Sequence, residues 1–194
     1  MPSESPIDYA SDPPPPPKSA MSILWLVVFA DMMGFGLIVP SLPLYADHYN
    51  ASPMQVALLF SLYSVCQFLA SPVLGAMSDR YGRRPALVLS QFGTVAGYLL
   101  LGWTMLVQWD NVSTALWLVY LSRVIDGISG GNISTAHAYI GDISTPANRA
   151  ARMGLLGAAF GLGFSAGPAL GGLLSLWHAA GPAFAAAALA AVAC

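Results

Sequence analysis

The sequence predicts an all-α integral membrane protein with six spanning helices, on three observations. The first is a shortage of charge. Of 194 residues, 56% are hydrophobic and only 8% are Asp, Glu, Lys or Arg, where a soluble domain carries about 25%, so a water-facing surface could not be covered. The second is where the charges stand: none occurs between Asp47 and Asp79, between Arg84 and Asp110, or after Arg152. The third is that the apolar runs are continuous. A membrane barrel would alternate apolar and polar residues, so helices are the expected form.

A spanning helix needs about 20 mostly apolar residues at 1.5 Å rise each. The segments that qualify are roughly Ser22–Tyr45, Met54–Met77, Ala86–Val107, Thr114–Tyr139 and Met153–Leu176, with a sixth beginning near Ala179. The bundle is expected over residues 21–194, with its last helix incomplete. Residues 1–20, with Glu4, Asp8, Asp12 and the run Pro13–Pro17, have little to bury and read as a disordered tail with a short polyproline stretch, a spacer rather than a docking ligand for a groove-type domain, and not a signal peptide.

Orientation follows from the loops. Lys18 precedes helix one, Arg80, Arg83 and Arg84 lie between helices two and three, and Arg149 and Arg152 between helices four and five. The opposite loops hold Asp47, His48 and Asp110 without Lys or Arg. The positive-inside rule then puts the N-terminus in the cytoplasm of a chain that crosses the membrane many times.

Composition also excludes classes. Seven Lys and Arg against nine acids leave no basic surplus for nucleic acid. Two cysteines, Cys66 and Cys194, make no disulfide framework, and three scattered histidines suggest no metal site. No cofactor is implied, and no nucleophile–base set or paired acids around a pocket suggest an enzyme.

Ionisable residues inside the membrane carry the functional reading. Asp31 lies about 15 Å into helix one and Arg123 about 14 Å into helix four from the other side. Both stand near the middle of a core about 30 Å thick, where a lone charge costs at least about 2.5–3.5 kcal/mol. Asp126 follows Arg123 at i+3, and the two can pair on one face, structurally or functionally. Asp31 has no basic neighbour on its helix. It must face the interior and borrow a partner, be protonated, or meet water.

Weaker polar stripes recur at helical spacing: Ser64, Gln67 and Ser71; Gln91, Thr94 and Tyr98; and Arg123, Gly127, Gly130, Ser134 and His137. Each stripe lines an aqueous cavity or bonds between helices. A weak repeat pairs Ser71-Pro72-Val73-Leu74-Gly75 with Gly167-Pro168-Ala169-Leu170-Gly171. Three crossings separate the copies, so the second is inverted, an architecture common in transporters.

Four stretches together resemble the major facilitator superfamily, in its drug:proton antiporter branch that includes tetracycline exporters. They are Asp31–Pro40; Gly75-Ala76-Met77-Ser78-Asp79-Arg80-Tyr81-Gly82-Arg83-Arg84; Arg123 and Gly127 followed by Gly131-Asn132-Ile133-Ser134-Thr135-Ala136; and Gly163, Gly167-Pro168 and Gly171-Gly172. The resemblance implies the N-terminal six-helix half of a twelve-helix fold built from two inverted three-helix repeats. It implies proton-coupled export of small amphipathic compounds by alternating access. The second stretch would form a tight turn on its glycines and latch the cytoplasmic side. The helix-five glycines form a smooth stripe for close helix packing, to which the resemblance adds a bend packed against the other half. Asp31 would carry the coupled proton with Arg123 as its electrostatic tuner and Asp126 as competitor, and Gln67, Gln91, Asn132 and His137 would line the cavity. The expected partners are the lipid bilayer, a small-molecule substrate, protons and a missing C-terminal half. The alternatives are a proton-coupled importer of a sugar or metabolite, and a non-transporting membrane scaffold or sensor.

Overall fold

A computed structural model describes residues 18–193. The tail over residues 1–17, Cys194, and the side chains of Lys18, Ser19, Ala46, Asp47 and His48 lie outside the described residues. Eight helices follow in order: α1 (Lys18–Ile38), α2 (Ser41–His48), α3 (Pro53–Tyr81), α4 (Arg83–Leu106), α5 (Val112–Ser129), α6 (Asn132–Ile143), α7 (Arg149–Trp177) and α8 (Gly181–Val192). Four helices among them are long and apolar enough to cross a membrane: α1, α3, α4 and α7.

Two of the six expected spans are interrupted. The first stops at Val39-Pro40, where proline lacks the amide that would continue the ladder, and restarts as α2. The fourth breaks at Gly130-Gly131 between α5 and α6. Gln67 of α3 donates from Nε2 to the freed Gly130 carbonyl at 2.9 Å, so the break is not left unsatisfied. The first helix also starts at Lys18, a few residues before the expected boundary of the tail.

The repeat is visible in the helices themselves. A broken helix precedes α3 and another precedes α7, and both α3 and α7 are 29 residues long. Pro72 and Pro168 each stand 19 residues after the first residue of their helix, Pro53 and Arg149.

Packing arranges the helices as an arc, with α6 reaching from α3 and α4 to α7 and α1. Helix α1 lies between α7 and α8, α8 between α1 and α4, and α5 between α4 and α3. That leaves α3 and α7 at the two edges. Only Leu59 and Ser78 of α3 are buried. On α7 the buried residues are Leu156, Ala159, Gly163, Gly167 and Gly171, a single face at helical spacing.

This face narrows one expectation. The glycines at 163, 167 and 171 are a site of close helix packing, as expected, but the helix that fills it is α1, which leaves no room there for another half. A Cβ at Gly163 would lie 2.8 Å from the Phe29 carbonyl oxygen, one at Gly167 2.6 Å from Gly36 Cα, and one at Gly171 2.5 Å from the Leu37 carbonyl oxygen. Two backbones cross here at a distance only glycine permits. Gly172 points elsewhere, and nothing lies within 4 Å of where its Cβ would be.

Two apolar clusters fill the bundle. One joins Leu37, Tyr45, Leu101, Val119 and Ala183; the other joins Leu24, Val28, Leu87, Ile140 and Leu156. The buried polar residues Gln91, Thr94, Arg123, Asp126 and Asn132 come from the stretches of α4, α5 and α6 between them.

Candidate functional site: a buried polar belt and a basic end

Asp31 sits in the middle of α1 and is held from two other helices. Gln91 of α4 donates from Nε2 to Oδ1 at 2.6 Å, and Asn132 of α6 donates from Nδ2 to Oδ2 at 2.7 Å. Both donors are almost fully buried. The partner Asp31 needed is therefore a pair of carboxamides. Asn132 reaches it because the Gly130-Gly131 break re-aims the start of α6.

Arg123 is 1% exposed and pairs with Asp126, Nη1 to Oδ2 at 3.1 Å. Its guanidinium carbon lies 5.8 Å from the Tyr98 ring centre, within cation–π range. Its Nε and Nη2 have no hydrogen-bond partner among the described residues. Arg123 thus bonds Asp126 directly and, among the described residues, makes no hydrogen bond or ion pair with Asp31.

The three polar stripes separate. Gln91, Thr94 and Tyr98 are buried in the belt with Asp31 and Asp126. Ser64, Gln67 and Ser71 meet Gly130, Ser134 and His137 along an open groove of about 400 Å³ on the outside of that belt. His137 is exposed there. Of the four expected lining residues, Gln67 and His137 face this groove, while Gln91 and Asn132 are committed to Asp31.

The basic loops share one end of the molecule. Arg83 bonds Asp79 at 2.5 Å and reaches Asp142 of α6 at 2.8 Å. Its Nη1 also donates to Ser78 Oγ at 2.7 Å. Arg152 donates to the Ile143 carbonyl and Arg149 to the Gly141 carbonyl, occupying the last acceptors of α6. Ala20, Arg84 and Tyr139 line one cavity, which brings the start of α1 to the same end. Arg80 and Arg84 are exposed, and Arg80 stacks 5.4 Å from the Tyr81 ring centre.

The turn between α3 and α4 is a single residue. Gly82 takes φ 100°, a region closed to most side chains. Gly75 has no part in it. It lies inside α3 with open space around it.

Asp142 and Tyr63 escaped the sequence reading. Asp142 carried a usable signal, as an acid beside the otherwise basic loop between helices four and five. Tyr63 carried none, since a tyrosine in an apolar helix is usually packing.

The chain matches the model of the Major Facilitator Superfamily over residues 24–194. It is 39% identical over 175 residues to tetracycline resistance protein, class C, of Escherichia coli, covering 89% of this chain and 42% of that protein. It is 33% identical over 192 residues to human major facilitator superfamily domain-containing protein 10, covering 84% of this chain and 40% of that one. The crystal structure of the human organic anion transporter MFSD10 aligns with a TM-score of 0.69 at 28% identity, over 93% of this chain and 46% of that one. The chain spans about two fifths of the length of these curated relatives. Sequence match, arc of helices and shared architecture agree: this chain belongs to the Major Facilitator Superfamily of membrane transporters.

Proposed function

We propose that the chain forms the N-terminal half of a proton-coupled exporter of small amphipathic compounds, with Asp31 carrying the proton. The observation that carries this reading is Asp31 itself: a carboxylate in the middle of a spanning helix, bonded to two neutral amides and, among the described residues, to no cation. Such a group is neutral when protonated and charged when not, and exchange between the two states as water access changes sides would drive transport. The names of the tetracycline resistance relatives make tetracycline the first compound to try.

Two further features support alternating access. Arg83 joins the α3–α4 turn to α6 through Asp142, and this pair would latch the cytoplasmic end when the cavity opens outward. On α7, the positions of Gly154, Gly157, Gly161 and Gly172 have nothing within 4 Å of a Cβ. This smooth, exposed stripe, rather than the glycines packed on α1, would receive a helix of the second half. The basic end would face the cytoplasm.

The test is transport in everted membrane vesicles bearing the intact protein under an imposed pH gradient. Asp31→Asn keeps shape and polarity but cannot release a proton. It should reach parental abundance and lose gradient-driven export. Export at the parental rate would remove Asp31 as the coupling residue. Uptake in right-side-out rather than everted vesicles would favour the importer reading. Absence of substrate-driven proton movement in either would favour a scaffold or sensor.

A further inference from the structure

A second carboxylate and a water-sized space lie beside Asp31. A small, partly open cavity of about 20 Å³ has Asp31, Tyr63, Thr94, Tyr98, Asp126 and Asn132 in its walls, beside apolar groups. That volume holds about one water and is too small for a drug or a hydrated ion. Six of its lining residues are polar or titratable, in the middle of a membrane bundle. Asp126 uses Oδ2 for Arg123, and among the described residues its Oδ1 has no hydrogen bond. The Thr94 and Tyr98 hydroxyls likewise have no partner among the described residues, though Thr94 is 4% exposed, Tyr98 2% and Asp126 2%. Buried polar groups without protein partners around a space of this size are where ordered waters bind, typically with about three bonds.

We propose that this cavity is a binding site for one ordered water that joins Asp31 and Asp126 into a single proton-sharing unit. The proposal rests on the reading of Asp31 as a proton carrier and adds a second acceptor and a route. With the shared proton on Asp31, the water accepts from the Asp31 carboxyl, whose oxygens retain lone pairs beyond the bonds from Gln91 and Asn132, and donates one hydrogen to Asp126 Oδ1. Its second hydrogen goes to the Thr94 hydroxyl, and it also accepts from the Tyr98 hydroxyl. Charge balance favours the arrangement. Asp31, Asp126 and Arg123 sum to minus one when all are ionised, and one shared proton makes the belt neutral in a medium that penalises net charge. The remaining titratable group on the wall is the Tyr63 phenol of α3, which accepts a bond from Gln67 at 3.2 Å. From Met153 to Trp177 of α7, and throughout α8, there is no titratable residue.

The transfer step is balanced. The water takes the proton from the Asp31 carboxyl as it gives one of its own to the Asp126 carboxylate. One O–H bond breaks and one forms at the water, which is regenerated, and the negative charge moves from Asp126 to Asp31. Protonation of Asp126 weakens its hold on Arg123, so the proton's position is reported to α5.

The test is infrared difference spectroscopy of the purified chain in lipid nanodiscs across a pH titration. It follows the carboxylic C=O stretch and the O–H stretch of isolated water, the latter identified by its shift in 18O water. The unsubstituted chain should show both. Thr94→Val keeps shape and charge. It should abolish the 18O-sensitive band and move the carboxyl midpoint by about two- to tenfold in proton affinity, the scale of one hydrogen bond. Tyr98→Phe should do the same, so neither result depends on Asp126→Asn folding. An unsubstituted chain without an 18O-sensitive band, or Thr94→Val and Tyr98→Phe variants that retain band and midpoint, would overturn the water site while leaving Asp31 as a lone carrier. Loss of the band in both variants, with Asp31→Asn still exporting at the parental rate, would support the water site and refute the carrier reading.

Discussion

At the scale of single residues, the buried pair sets the sharpest expectation. Arg123 and Asp126 are each almost fully enclosed, and removing one partner strands the other's charge. Arg123→Met should therefore destabilise the folded chain by about 3–5 kcal/mol, while Arg123→Met with Asp126→Leu should recover most of that loss. Thermal unfolding of both variants in detergent checks it, and equal losses would show that the pair is not acting as a unit. Asn132→Leu removes one of the two donors to Asp31 and should cost about 1.5–3 kcal/mol if the carboxylate is charged, less if it is protonated. The same melting series at two pH values separates these cases. The ionisable residues were legible because a charge in an apolar run stands out. Their partners were not, because Gln91 and Asn132 lie 60 and 101 positions from Asp31, and which amide reaches it depends on helix rotation.

Helices respond differently on their filled and open faces. A Cβ at Gly127 would lie 2.6 Å from the Tyr63 carbonyl oxygen, backbone that cannot easily move. Gly127→Ala should cost about 1–3 kcal/mol by overpacking. Gly157 has no atom within 4 Å of a Cβ, so Gly157→Ala should leave this chain as stable or stabilise it by about 0.5–1 kcal/mol through helix propensity. If the second half docks on that stripe, the same substitution lowers transport by the intact protein. Melting temperature and vesicle transport, read together, distinguish a free face from an interface. The sequence marked α7 as rich in glycine but could not say which stripe was taken. Gly163, Gly167 and Gly171 face α1, and Gly157 and Gly161 do not, though all share one helix.

The whole molecule is an arc with one basic end. Asp142→Arg should release the Arg83 link and impair transport, and Arg83→Asp combined with Asp142→Arg should restore part of it by re-forming the pair in reverse. Being exposed, this pair should contribute only about 0.2–1 kcal/mol to stability, so its loss should appear in transport rather than in melting. Labelling with an impermeant thiol reagent tests orientation. A cysteine at Arg83 should be protected from outside intact cells and one at Asp110 should react. With α3 and α7 exposed at the edges of the arc, we expect the purified chain in liposomes to show no substrate-driven proton movement. Coupled flux would mean that two copies can supply both walls.

What the sequence determined by itself was where chain enters lipid and which end is basic. Transfer from water to hydrocarbon is settled by about 20 neighbouring residues, and loop charge by a few more, so both are local sums. It also carried the family, because the stretches around Asp31, Asp79 to Arg84, Arg123 and Gly163 to Gly172 stand in order along the chain. Tertiary structure alone decided that the fourth span breaks at Gly130-Gly131 under a cap from Gln67. It decided that Arg123 bonds Asp126 while carboxamides hold Asp31, that α1 fills one glycine stripe of α7, and that Arg83 finds Asp142. Each of these depends on how far a helix is rotated and how closely its neighbour approaches. A shift of one residue turns a helical side chain by about 100°, and no local sum along the sequence fixes that angle.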